Sequence, residues 1–233
     1  MTTRRSFLTA TAALLSSATC AEAQNSCAVF TKDTQAATSL DQAMARLKEG
    51  NARFRSGKTI HCDLMAQVKE TAGGQAPFAA ILGCMDSRVS PELVFDQRIG
   101  DIFVVRIAGT FVNTDIIGSL EYATKVAGAK LIIVLGHSEC GAVKGAIDDV
   151  KLGNLTTTLA NIRPAVLEVN NVPGERNSKN KAFVQKVADE NAKDAAAGML
   201  ARSPVLAELV EQRILRIASA MHDVRTGAVT WFA

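Results

Sequence analysis

The chain has 233 residues and a formal net charge of +3, and 48% of its residues are hydrophobic and 21% charged. This length favours a single domain, and the composition excludes a disordered, a collagenous or a multi-span membrane protein. Lys and Arg form no run of five or more and aromatic residues make up only 5% of the chain, so we exclude a nucleic-acid partner.

The first 23 residues have the pattern of an export signal. Arg4 and Arg5 precede an apolar stretch rich in Ala, Leu and Ser, which ends in an Ala-x-Ala site before Gln24 and resembles a twin-arginine signal. The apolar stretch is too short and too rich in Ser and Thr to span a bilayer stably. The alternative to an export signal is a short N-terminal helix. We therefore expect a periplasmic or otherwise exported protein in which residues 24–233 form one domain.

Two helices are predicted ahead of the first strand. Residues 24–39 are polar and aperiodic, and no structure is predicted for them. In residues 40–54 the apolar side chains recur at helical intervals, and residues 63–71 predict a shorter helix that ends at Gly73 and Gly74. Together these segments form an N-terminal helical arm.

Three apolar runs rich in β-branched or aromatic residues predict buried strands: residues 78–83, 102–107 and 131–136. Their hydrophobicity is continuous rather than alternating, which is typical of a parallel sheet covered by helices on both faces. Between the second and third runs, Thr114 or Asp115 can cap a helix that stops near Gly128. This order of elements predicts a βαβ unit.

The C-terminal half is mostly helical in pattern. Helices are predicted at residues 140–150, 154–170, 182–200 and 204–215. A polar loop covers residues 171–179, and a short strand is predicted at residues 228–232. The fold class is therefore α/β, with a central, mainly parallel β-sheet flanked by helices, an N-terminal helical arm and C-terminal helices.

Two of the predicted strands end in potential metal ligands. The first strand is followed by Cys84, Asp86 and Arg88, and the third by His137 and Cys140. Ligands of open α/β sheets bind at the carboxyl ends of the strands, so both motifs are expected at one edge of the sheet.

Thiolate and imidazole ligands around one ion favour zinc, and three protein ligands leave one coordination position open, as in catalytic zinc sites. Taken alone, a buried Cys is more often a small apolar residue, and a single His after a strand is more often a hydrogen-bonded polar group. The combination at two strand ends favours a metal site, although cobalt or cadmium could replace zinc.

These motifs resemble those of the beta-carbonic anhydrases, C-x-D-x-R and H-x-x-C, and the likeness covers roughly residues 40–150 and extends more loosely to the C-terminus. The resemblance implies one zinc per chain on Cys84, His137 and Cys140, and hydration of CO2 to bicarbonate by a zinc-bound hydroxide. It also implies that Asp86 is the catalytic carboxylate and that Arg88 pairs with it and holds it away from the metal.

The resemblance further implies a substrate pocket and a homodimer or a higher even oligomer, because the family usually builds the pocket between two subunits. The matching pocket positions are Gln75, Phe103, Ile107, Tyr122 and Gly141. For Phe103 and Tyr122 the residues alone favour a place in the core.

Other functions stay open at this stage. A related hydrolase of carbon disulfide or carbonyl sulfide would share the scaffold, and the four cysteines that follow the signal also permit a non-catalytic zinc or thiol-redox module, although a C-x-x-C motif is absent. Cys27 and Cys62 are free to pair with each other after export. His61 and His222 have no partners at ligand spacing and are left out of the site.

Overall fold

The computed structural model describes residues 27–232, so the predicted export signal lies outside the described part of the chain. The helices are α1 (Lys32–Ala37), α2 (Leu40–Arg55), α3 (Leu64–Thr71), α4 (Pro91–Val94), α5 (Thr114–Glu121), α6 (Gly141–Ile147), α7 (Gly153–Ala160), α8 (Arg163–Glu168), α9 (Lys181–Arg202) and α10 (Pro204–Glu211). The strands are β1 (Ala79–Gly83), β2 (Ile102–Arg106), β3 (Leu131–His137), β4 (Arg216–His222) and β5 (Val229–Trp231). A π-helical turn, Tyr122–Val126, continues α5.

The strands form one five-stranded sheet in the order β2-β1-β3-β4-β5. The first four are parallel and β5 is antiparallel to β4. Because β2 lies on one side of β1 and β3 on the other, the order reverses at β1, and a crevice opens beyond the carboxyl ends of β1 and β3. The expected α/β fold with a mainly parallel sheet is confirmed.

The sheet separates two hydrophobic cores. Successive side chains of a strand point to opposite faces, so Ala80 and Leu82 of β1 join the core beneath α6 and α9, while Ala79 and Ile81 join the core beneath α2. All residues of β1 and β3 are buried. The two strands that carry the metal-ligand motifs at their ends are thus the most completely buried strands of the sheet.

The structure corrects two of the predicted helix boundaries. Asn113, rather than Thr114 or Asp115, caps α5 by accepting the Ile116 N–H at 2.9 Å. The single helix predicted at residues 154–170 is two helices, because Pro164 occupies the first turn of α8, where a missing N–H costs nothing.

The strand β4 was not predicted. Its sequence, Arg-Ile-Ala-Ser-Ala-Met-His, contains a single β-branched residue, but pairing along the whole length of β3 makes it a strand. His222, which the sequence analysis left out of the site, is the last residue of β4 and lies opposite His137 of β3. The predicted strand at residues 228–232 is confirmed as β5.

Within the described part of the N-terminal segment, Lys32–Ala37 form α1, which the sequence did not predict. Its buried Gln35 donates hydrogen bonds to the backbone carbonyls of Pro77 and Ala127 at 2.6 and 2.9 Å. Cys27 and Cys62 are joined in a disulfide. Among residues 27–232, no helix has both the length and the hydrophobicity to cross a bilayer.

Candidate metal centre and active site

Three potential metal ligands meet at the carboxyl edge of the sheet. Cys84 directly follows β1, His137 ends β3, and Cys140 is the residue before α6. Their ligand atoms all lie within 4.8 Å of one another, and all three residues are buried. The structure therefore brings together the ligand set that the two motifs predicted.

The backbone between His137 and Cys140 turns sharply so that both side chains face the same point. Glu139 has a φ of 58°, in the left-handed region that non-glycine residues adopt at a cost of about 1–2 kcal/mol. Its carboxylate accepts a hydrogen bond from Lys144 at 2.5 Å, which holds the turn against the first turns of α6.

The His137 ring is oriented as a metal ligand. Its Nδ1 lies 2.9 Å from the backbone carbonyl of Ser138 and, since a carbonyl only accepts, Nδ1 carries the proton. Its Nε2 is buried and finds no hydrogen-bond partner among residues 27–232. A buried nitrogen lone pair without a partner is costly, and a cation beside the two cysteines would satisfy it.

The two thiols lie close together, and their pKa values shift in opposite directions. The hydrogen bond from Cys140 lowers the pKa of Cys84, and the Gly109 N–H, 3.4 Å from its Sγ, acts in the same direction. The hydrogen bond to Cys84 and burial raise the pKa of Cys140 above its usual value. A divalent cation would remove this conflict by balancing two thiolates.

The donor set fits zinc, which prefers thiolate and imidazole ligands. A second cluster of potential ligands in the described chain, Glu168, Glu190 and Asp194, offers only carboxylates and is exposed or half-buried. Exposed carboxylates commonly cluster without a metal, so the Cys-His-Cys cluster is the one whose chemistry selects zinc.

Asp86 lies next to this cluster and is fixed by Arg88. The guanidinium donates from Nε to Oδ1 at 2.9 Å and from Nη2 to Oδ2 at 2.8 Å, and the Arg88 N–H adds a third bond to Oδ1 at 3.0 Å. These bonds hold the pKa of Asp86 well below its usual range. Asp86 Oδ2 is 4.0 Å from His137 Nε2, so an ionised carboxylate stands at the edge of the centre.

A model of the carbonic anhydrase family matches residues 79–229, from the start of β1 to β5. The chain belongs to the beta-carbonic anhydrase family. Its match to carbonic anhydrase 2 of Mycobacterium tuberculosis is 35% identical over 191 residues, which cover 79% of this chain and 89% of that protein. Zinc is the metal of beta-carbonic anhydrases, and the chain is accordingly an enzyme of the carbonic anhydrase class.

Solved beta-carbonic anhydrases share the fold. One of two tetrameric enzymes from Sordaria macrospora is 28% identical, with a TM-score of 0.63 over 71% of this chain and 85% of that one. The Coccomyxa enzyme, solved with acetazolamide, is 25% identical, with a TM-score of 0.65 over 72% of this chain and 77% of that one.

The pocket residues expected from the family pattern fall into two groups. Ile107 and Gly141 lie beside the centre, since the Ile107 N–H donates to the carbonyl of Gly83 at 3.0 Å and Gly141 directly follows Cys140. Phe103 and Tyr122 instead pack edge to face, with ring centroids 6.2 Å apart, in a groove of about 650 Å³.

The Cys-His-Cys cluster is not among the residues that line this groove, and Tyr122 is half exposed there. Gln75 is exposed in the loop that follows α3. A single chain therefore assembles the metal cluster and the Asp86–Arg88 pair, but it does not gather Gln75, Phe103 and Tyr122 around them.

Three further residues surround the centre without belonging to either motif. Arg106 donates to two backbone carbonyls of the segment that contains Cys84. Asn191 of α9 is buried and donates to the carbonyl of Gly109 at 2.7 Å. His222 is buried opposite His137, and burial lowers its pKa. Side chains that bind backbone carbonyls follow no sequence motif, so neither Arg106 nor Asn191 could be identified from the sequence.

Proposed function

We propose that the chain catalyses the reversible hydration of CO2 to bicarbonate and a proton, with one zinc ion on Cys84, His137 and Cys140. The observation that carries the proposal is the buried cluster of these three donors beside Asp86, whose carboxylate is held by Arg88. Three protein ligands leave a coordination position for a reactant, provided that this carboxylate stays away from it.

Zinc, when bound, supplies the Lewis acidity that lowers the pKa of a water ligand from about 15.7 to about 7. Two thiolates and a neutral imidazole would balance the charge of the ion. Zinc held by these ligands would polarise a water ligand less than zinc held by three imidazoles. A base beside the centre compensates for this.

Asp86 is that base. Its two hydrogen bonds from the Arg88 guanidinium keep it ionised, so one of its oxygens is available to accept the proton of the reacting water. The same bonds fix the direction of the carboxylate and oppose its approach to the metal. Ile107 and Gly141, which lie beside the centre, are in this proposal the pocket residues that the chain supplies to its own site.

The test is stopped-flow CO2 hydration by the zinc-loaded protein, measured beside sulfide release from carbon disulfide and carbonyl sulfide. We expect hydration that acetazolamide inhibits and no comparable sulfide release. Sulfide release without hydration would replace the proposed substrate, and a Cys84–Cys140 disulfide in protein that holds no metal would favour a thiol-redox module.

We also propose that the active protein is a homodimer or a higher even oligomer in which Phe103, Tyr122 and Gln75 of one subunit complete the pocket of the other. The groove that Phe103 and Tyr122 line within one chain supports this, as does the tetrameric state of the Sordaria macrospora enzymes. In sedimentation analysis, Tyr122→Arg should shift the protein towards the monomer and reduce hydration. A fully active monomer would contradict this assignment.

Finally, we propose that the protein is exported by the twin-arginine signal and cleaved before Gln24. The Cys27–Cys62 disulfide supports an oxidising destination, since disulfides are rare in the cytosol. Mass spectrometry of the mature protein should find Gln24 as its first residue, and replacing Arg4 and Arg5 by Lys should retain the precursor in the cytoplasm. An intact N-terminus in active, exported protein would overturn the cleavage site.

A further inference from the structure

Arg106, the last residue of β2, binds backbone rather than a carboxylate. Its Nε donates to the carbonyl of Cys84 at 2.8 Å, and its Nη2 donates to the carbonyl of Asp86 at 2.6 Å. It forms no ion pair with any acidic residue of the described chain. A charged guanidinium that neutralises no carboxylate, yet fixes two carbonyls, is placed to control the conformation of the backbone.

The two carbonyls belong to the peptide groups on either side of the Met85–Asp86 pair. Fixing both groups sets the backbone angles that direct the Asp86 side chain, and the Met85 side chain, which is 63% exposed, adds little packing of its own. A backbone rotation that carried the carboxylate from Arg88 towards the metal cluster would have to break a bond to Arg106. Hydrogen bonds from a charged donor are each worth about 1.5–3 kcal/mol.

We propose that Arg106 is a positioning residue, whose two bonds to the backbone of Cys84 and Asp86 keep the Asp86 carboxylate on Arg88 and away from the open metal position. The inference rests on the proposed function. Arg88 holds the carboxylate directly, whereas Arg106 holds the backbone from which the carboxylate extends, so removing either allows Asp86 to close the centre.

Arg106→Lys is the informative variant because it keeps the positive charge. A guanidinium presents several N–H groups in a rigid plane and can serve two carbonyls together, whereas a lysine ammonium is a compact donor on a flexible stem. A matched control is Arg176→Lys, since Arg176 also donates to two backbone carbonyls, those of Val166 and Val169, and none of these residues belongs to the metal cluster.

The experiment measures thiocyanate binding to the cobalt(II)-substituted protein by visible absorption, a readout of the open metal position that does not depend on turnover. Arg106→Lys should bind thiocyanate about tenfold more weakly than the native protein, which corresponds to the loss of one charge-assisted hydrogen bond. Adding Asp86→Ala should restore affinity to that of Asp86→Ala alone, because no carboxylate is left to compete. Arg176→Lys should bind as the native protein does.

Native affinity in Arg106→Lys would show a structural role only and overturn the inference, as would weak binding that persists when Asp86→Ala is added. If circular dichroism shows that Arg106→Lys does not fold, Arg106→Gln is put through the same titration with the same two criteria. A native protein that takes up no cobalt would overturn the proposed function itself. That result differs from a native protein that takes up cobalt while Arg106→Lys binds thiocyanate with native affinity, which overturns only the role of Arg106.

Discussion

Cys27 and Cys62 lie half-buried in the N-terminal part of the described chain and are bonded to each other, whereas Cys84 and Cys140 are buried at the carboxyl edge of the sheet and remain free thiols. Both pairs are close in space, and their surroundings separate them. The first pair has no imidazole at ligand distance in the described chain, while the second shares its site with His137.

The two pairs differ in their neighbouring groups, and these groups determine the role of each pair. The outer pair joins the N-terminal segment to the loop before α3, and nothing near it requires a cation. The inner pair crowds two ionisable thiols and an unpartnered imidazole nitrogen into one buried space. We therefore assign stability to the outer pair and chemistry to the inner pair.

The largest expected effect concerns the carboxylate beside the inner pair. Asp86→Ala should keep one zinc per chain but lower CO2 hydration by about 10²–10⁴-fold, the usual contribution of a positioned general base. Stopped-flow rates, divided by the zinc content of each preparation, check this. Asp148→Ala, an exposed carboxylate at the end of α6, is the control and should hydrate CO2 at the native rate. Full activity of Asp86→Ala would refute the mechanism.

The next effect concerns the outer pair. Replacing both Cys27 and Cys62 by Ser should lower the free energy of unfolding by about 4 kcal/mol, because the bond closes a loop between cysteines 35 residues apart. Denaturant unfolding of the double variant and the native protein measures the change. The zinc content and the hydration rate of the folded double variant should stay native, and loss of either would break the division between the two pairs.

A smaller effect is expected for a residue that supports the inner pair but is not itself a metal ligand. Asn191 holds the carbonyls of Gly109 and Thr110, and the Gly109 N–H contacts Cys84 Sγ. Asn191→Ala should weaken zinc binding by about 10-fold, the low end for residues that orient a metal ligand. Competition with a chelator measures the affinity.

The matched control for this variant is Asn161→Ala. Asn161 also donates to two backbone carbonyls, those of Thr157 and Thr158, but on the exposed surface of α7. Its zinc affinity should equal that of the native protein. Equal affinities in both variants would mean that the Gly109 loop needs no support from α9.

The inner pair could be predicted from the sequence because its ligands follow two continuous apolar strands. Such strands are recognisable locally, and the parallel sheet brings their carboxyl ends together. Whether the outer pair forms a disulfide could not be decided from the sequence, since no local pattern shows whether two distant cysteines meet. The pattern also missed β4, because a strand with one β-branched residue depends on its partner β3 rather than on its own propensity.

Within the site, the residues that belong to a short sequence motif were predictable. The residues outside these motifs, whose side chains bind backbone carbonyls, were not. Asp86 and Arg88 are two residues apart and pair as expected. Arg106 reaches the same segment from another strand through carbonyl oxygens, which every residue possesses. His222 was discarded because the missed strand concealed its place opposite His137.

The most direct test of the account is the zinc content per chain of Cys84→Ser, measured by elemental analysis beside the native protein and the double variant that lacks Cys27 and Cys62. We predict one zinc in the native protein and in the double variant, and nearly none in folded Cys84→Ser. One zinc retained in Cys84→Ser, or zinc lost from the double variant alone, would contradict the assignment of the metal to the inner pair.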